Sequence, residues 1–140
     1  MVKIGKFLSF IIDIVIFAPK LQIKVSMKKI YYLSTCSTCS RIINELGIKD
    51  KKFEMQDIKT EQISEKQLDE MAVMSGSYES LFSRVALKYK TLEVKPSKEK
   101  EYKKLILEEY TFLKRPVIIA GKSIFVGNSK AVIAEAKKNV

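Results

Sequence analysis

Between Lys29 and Ile58 the sequence spells out a single supersecondary unit, and this unit limits the fold more than anything else in the chain. Lys29 to Leu33 (KIYYL) is rich in β formers and suits a buried strand. The next seven residues, STCSTCS, supply the hydroxyl side chains typical of helix caps and turns. Cys39, Ile42, Ile43 and Leu46 then recur at helical spacing, and Gly47 is a natural stop. Lys52 to Ile58 (KFEMQDI) alternates and predicts a second strand. Strand, helix and strand in this order form a βαβ unit, whose crossover is almost always right-handed. Both cysteines of the chain, Cys36 and Cys39, fall at its first strand-to-helix turn.

The rest of the chain adds helices and then returns to strands. Ser64 and Gln67 have the spacing of a capping box, and Leu68, Met71, Ala72 and Met74 give the helix behind it an apolar stripe. Ser75-Gly76-Ser77 breaks that helix. A short helix is expected near Tyr78 to Phe82, followed by an irregular stretch from Arg84 to Thr91. Pro96-Ser97 opens a further helix, with Tyr102, Leu105, Ile106 and Glu109 on its track. Val117 to Ala120 (VIIA) and Ser123 to Val126 (SIFV) flank Gly121-Lys122 and predict a hairpin. A last helix is expected over Ala131 to Lys138. The order is βαβ, a helical insertion, then ββα: an α/β chain with a thioredoxin-like fold, a mixed sheet and flanking helices.

Composition narrows the chemistry. The chain has no histidine. That removes Cys/His zinc sites, histidine general bases and Ser-His or Cys-His pairs. Two cysteines in 140 residues make no disulfide framework, so a reducing, cytoplasmic setting is expected. The formal charge of +10 favours anionic partners. Lysines alternate with glutamates through most of the chain, arginines are few, and no aromatic RNA-binding motif is present. Direct nucleic-acid contact is therefore not expected.

The dithiol is the centre of the chemical reading. Cys36 is placed just before a helix, where unpaired amides and the helix dipole favour an anion. A thiol so placed has its pKa pulled down, and the thiolate is the nucleophile. Cys36 is thus the expected attacker and Cys39, one turn in, the resolving thiol. Two intervening residues let the pair close a disulfide, which makes it a redox switch or a two-electron carrier. The alternatives are two small buried hydrophobes, or a metal site for which only carboxylates remain as further ligands; no metal is expected. Among the few arginines, Arg115 directly precedes Pro116 at the start of a strand, where a thioredoxin-like fold sets a cis proline facing the dithiol. Arg115 is then a candidate to stabilise the thiolate or hold an oxyanion, with Arg84 and Arg41 as further candidates. A surface salt bridge is the alternative for Arg41.

Three segments, YYLSTCSTCSRIINELGI, SGSYESLFSRVALKYKTL and FLKRPVII followed by VGNS, together resemble the ArsC/Spx family. This family of thioredoxin-fold proteins includes glutaredoxin-coupled arsenate reductases, the YffB type and the transcription regulator Spx. The resemblance spans about Met27 to Val140. It implies that Cys36 is the nucleophile, that Cys39 is the second cysteine of the dithiol members, and that Arg115 is the arginine before the cis proline. Gly76 lines up with the glycine through which Spx contacts RNA polymerase. The chain also departs from the pattern. Ser34 stands for the usual proline, Ser40 for a basic residue, and Ser83 for an arsenate-binding arginine, with Arg84 one step later. Glu101 or a nearby lysine stands for another such arginine, and Tyr32 for a histidine.

The resemblance implies an arsenate reductase-like thiol-disulfide oxidoreductase, or alternatively a Spx-type redox sensor that docks on the RNA polymerase α subunit. No bound cofactor is expected. Glutathione, glutaredoxin or thioredoxin would donate electrons, and the substrate would be a small oxyanion or a disulfide. Residues 1–26 read as a separate extension: an over-long start or a dispensable extension first, a membrane-surface anchor second, a cleaved signal third. No membrane contact is expected for residues 27–140.

Overall fold

A computed structural model describes residues 27–140. The readings for residues 1–26 lie outside them. The sheet has four strands: β1 (Lys28–Tyr32), β2 (Glu54–Asp57), β3 (Val117–Ala120) and β4 (Ser123–Val126). Their order is β2-β1-β3-β4. β1 pairs parallel with β2 and antiparallel with β3, and β3 pairs antiparallel with β4. The parallel pair needs a crossover, which α1 (Ser37–Leu46) supplies. Gly47 ends α1 at φ +65°, a left-handed conformation that favours glycine.

Alternation along the strands divides the core between the two faces of the sheet. Ile30 and Ile118 point to one face and pack with Ile42, Ile43 and Leu46 of α1 and with Ile133 and Ala136 of α5 (Lys130–Asn139). Tyr31, Val117 and Ile119 point to the other and meet the helical insertion. The insertion contributes Leu68, Met71 and Ala72 of α2 (Glu65–Ser75), and Tyr102 and Ile106 of α4 (Glu99–Glu108). Each such fully buried aliphatic or aromatic side chain contributes about 1.5–3 kcal/mol relative to exposure.

The capping box at Ser64 and Gln67 forms in both directions. Gln67 also exchanges amide hydrogen bonds of 3.2 and 2.9 Å with the buried Gln56 of β2, so the cap ties α2 to the sheet. Tyr78 to Phe82 holds a single 3-10 turn, Glu79–Leu81. The stretch expected to be irregular carries the four-residue helix α3 (Leu87–Lys90). The second strand is shorter than the alternation of Lys52 to Ile58 predicts. Lys52 takes a positive φ of 61° and Phe53 turns into the core, so pairing starts at Glu54.

Candidate active site

Three separate pieces of chain meet at one cleft of about 500 Å³. The first is the start of α1. Tyr32 ends β1, and Cys36 takes an extended conformation (φ −97°, ψ 113°) as the residue preceding the helix. The turn before it is fixed by the Cys36 amide, which donates to the Leu33 carbonyl at 3.0 Å. The Ser34 amide donates to Asp57 Oδ1 at 3.3 Å, anchoring the same turn to the end of β2.

The second piece is the strand entry at Lys114 and Arg115. The Arg115–Pro116 peptide bond is cis. The third is Ser83 to Val85, which follows the 3-10 turn. Two hydrogen bonds hold the second and third pieces together: Ser83 N–H to Phe112 O at 2.7 Å, and Lys114 N–H to Leu81 O at 2.8 Å. Buried Phe82 lies beneath them, stacked on Phe112 at 5.0 Å and edge-on to Tyr102 at 5.1 Å.

The two thiols have opposite environments. Cys36 is half-buried and lines the cleft; Cys39 is 0 % exposed. Burial pulls the Cys36 thiol upward. The amide of Cys39, the Cys39 thiol, the amide of Thr38 and the Arg115 charge all pull the other way and together outweigh it. Cys36 therefore titrates below its ordinary value. Burial pushes the Cys39 thiol up to about 11, against the pull of the Leu33 amide. The neighbouring Cys36 sulfur adds to the rise. Both residues are free thiols.

The predicted arginines do not act together. Arg115 lines the cleft and donates from Nη1 to the Thr111 carbonyl at 3.2 Å. Arg84 also lines it, but its guanidinium is held by Glu79 at 2.7 Å and the Tyr102 hydroxyl at 2.8 Å. Arg41 does not line this cleft. It pairs with Glu45 at 3.2 Å one turn along α1 and lines a separate groove. Helical spacing explains its place: two residues past Cys39, it sits on the outward face of α1.

Ser83 is buried, and Glu101 caps α4 by accepting from the Ser97 and Lys98 amides at 2.8 and 3.0 Å. Gly76 is exposed at the end of α2 with φ +103°, and open space surrounds the position of an added Cβ. Sequence reasoning passed over Lys114, Asn128 and Ser129, which also line the cleft, and Asp57, which holds the dithiol turn. The adjacency of Lys114 to Arg115 was the available signal. Among the described residues, no group of three or more acidic, cysteine or histidine side chains is placed to hold a metal ion.

Residues 31–136 match the ArsC family. The chain belongs to that family. Solved structures carry the same fold at low identity. The YFFB protein is similar over 79 % of this chain and 98 % of its own, at 20 % identity and a TM-score of 0.65. An arsenate reductase (ArsC) related protein from Brucella melitensis matches over 81 % and 96 %, at 22 % identity and a TM-score of 0.60. An arsenate reductase from Vibrio cholerae matches over 83 % and 99 %, at 12 % identity and a TM-score of 0.66. No curated protein matches the chain. Among the described residues no helix is long and apolar enough to cross a membrane.

Proposed function

We propose that this ArsC-family chain is a thiol-disulfide oxidoreductase of arsenate-reductase type, with Cys36 as nucleophile and Cys39 as resolving thiol. The asymmetry of the pair carries the proposal. An accessible sulfur sits at a helix start with its pKa lowered, and a buried sulfur beside it keeps its proton to about 11.

With a disulfide substrate, the Cys36 thiolate attacks one sulfur and displaces the other as a thiolate, which takes up a proton. Cys39 then loses its proton and attacks the Cys36 sulfur, releasing the second substrate thiol. The substrate gains two electrons and the dithiol loses them. With arsenate, Cys36 adds to arsenic with loss of water. Attack by Cys39 on the Cys36 sulfur then releases arsenite and leaves the disulfide. Arg115 neutralises charge at Cys36 in either case. Glutathione, glutaredoxin or thioredoxin, in a reducing cytoplasm, would regenerate the dithiol.

The oxyanion surroundings are thinner than the chemistry of arsenate favours. Arg84 is held by Glu79, and Ser83 and Glu101 carry no positive charge. A disulfide is therefore the better substrate class. The test follows NADPH oxidation coupled through glutathione and glutaredoxin, with arsenate or a disulfide as acceptor. Turnover that disappears in Cys36→Ser supports the proposal. Neither acceptor being reduced, with Cys36 alkylating no faster than a free thiol at pH 7, refutes it.

A Spx-type regulator is the second reading, favoured by the exposed, open surroundings of Gly76. Its positive φ, however, accounts for glycine there without a partner. Co-purification with the RNA polymerase α subunit, lost in Gly76→Arg, tests it.

A further inference from the structure

The cleft at Cys36 does not end at the dithiol. Asn128 lines it and also lines a second groove, of about 360 Å³, that runs between α1 and α5. Cleft and groove are thus neighbours that share a wall at the turn ahead of α5, two parts of one track larger than a single oxyanion requires. The track is cationic. Lys114 and Arg115 line its first part, and Arg41, Lys130 and Lys137 its second. Glu45 is the one carboxylate among the lining residues of the second part; it holds Arg41 at 3.2 Å and Lys137 at 3.7 Å. Among the described residues, no carboxylate lies within 4.0 Å of the charged nitrogens of Lys114, Arg115 or Lys130.

The rim formed by the Ser83–Val85 piece also carries apolar surface, next to Arg84. Val85 lines it and is 87 % exposed, and Leu87, two residues on, is 81 % exposed. Neither side chain gains anything from the fold by standing in water. Single exposed aliphatic residues are ordinary on a protein surface. Here one of them lines the cleft of Cys36 and the other follows two residues on, in a piece of chain separate from the one that carries Lys130 and Lys137.

We propose that the dithiol acts on a protein disulfide set in a segment with acidic residues on one side of the cysteine and an apolar residue on the other. This rests on the redox reading above and names its substrate class. The acidic side lies over Asn128 into the groove between α1 and α5, where Lys130 and Lys137 meet it. The apolar side covers Val85 and Leu87. Charge complementarity along the track raises the encounter rate, and the aliphatic contact fixes which side of the segment goes where.

The test uses short peptides joined by a disulfide to a chromogenic thiol, with acidic, neutral or basic residues beside the cysteine. A small uncharged disulfide serves as reference. The full chain is reacted in its dithiol form by stopped flow. The acidic peptide is expected to react about tenfold faster than the neutral one at low salt and the basic one slower, with the difference collapsing near 0.5 M salt. In the double variant Lys130→Glu, Lys137→Glu the acidic-to-basic rate ratio inverts. In Val85→Ser, Leu87→Ser the advantage of a peptide carrying an apolar residue over its glycine counterpart disappears. Equal rates for the three peptides, within twofold at low salt, overturn the inference while leaving the redox reading standing if the small disulfide reacts. Failure of every disulfide, the small one included, overturns both.

Discussion

Arg115 and Cys36 face one cleft from two elements that are distant in sequence, the entry to β3 and the start of α1, and the guanidinium lies close enough to favour the ionised sulfur. Its contribution is separable from that of the helix. Arg115→Gln removes the charge and keeps the length, so the Cys36 midpoint rises, read as thiolate absorbance against pH. Arg115→Lys recovers most of the loss, because a positive charge remains. The amides of Thr38 and Cys39 are untouched in both variants, so Cys36 still ionises before Cys39. An unmoved midpoint in Arg115→Gln would leave the helix start as the sole cause.

Cys39 predicts a loss of stability on the alkaline side. In the unfolded chain its thiol ionises near its ordinary value; in the folded chain burial holds the proton to about 11. Between roughly pH 9 and 11 the folded state therefore binds more protons than the unfolded one, and stability falls as pH rises. Cys36 has the opposite sign: its folded pKa is lowered, so stability rises with pH up to its unfolded value. Urea melts of the reduced protein should thus show a maximum near pH 9 and a decline of up to about 3 kcal/mol by pH 11. Tyr31, pushed up to about 12 by burial with the charges of Glu70 and Glu54 adding to it, extends the decline above pH 10. Cys39→Ala should flatten the part between pH 9 and 10.

The floor of the cleft predicts a large stability effect from one side chain. Phe82 is fully buried and contacts Phe112, Tyr102 and Tyr89 through its ring. Phe82→Ala should cost about 3–5 kcal/mol, seen as a lower urea midpoint. Ser64→Ala, which removes half of the capping box on α2, should cost about 1 kcal/mol and leave Cys36 alkylation unchanged. A comparable loss from both would mean that the cleft floor collapses around the missing ring.

The sequence carried the sheet and the dithiol turn because both are written in local signals. VIIA and SIFV form strands with the bounds expected on either side of Gly121-Lys122, and Gly47 ends α1 as expected. Cys36 lies where a strand hands over to a helix, a position set by four or five neighbouring residues. The arginines could not be placed in the same way. Whether a guanidinium reaches the cleft depends on partners far along the chain, such as Tyr102 for Arg84 and the Thr111 carbonyl for Arg115. Arg41 was near Cys36 in sequence, but the helical repeat carries it to another face. The tie from Asp57 to Ser34 was hidden for a related reason. It joins the ends of two parallel strands, and nothing near either residue announces it.

That tie gives the last prediction. The Asp57 carboxylate titrates below its ordinary value: burial raises it, but the Ser34 hydroxyl, the amides of Lys59 and Ser34 and the Lys59 charge outweigh burial. A carboxyl with a depressed folded pKa stabilises the fold above its unfolded value, and that stabilisation is lost as pH falls through the folded one. The turn before Cys36 should therefore loosen in acid before the sheet unfolds. Asp57→Asn should produce the same loosening at neutral pH: faster hydrogen exchange at the Ser34 amide and faster alkylation of Cys36 at a fixed thiolate fraction. Global stability should fall by no more than about 1 kcal/mol, because the site is open to water and the charge is screened. Unchanged exchange at Ser34 in Asp57→Asn would show that the Cys36 amide bond to Leu33 holds the turn without help from β2.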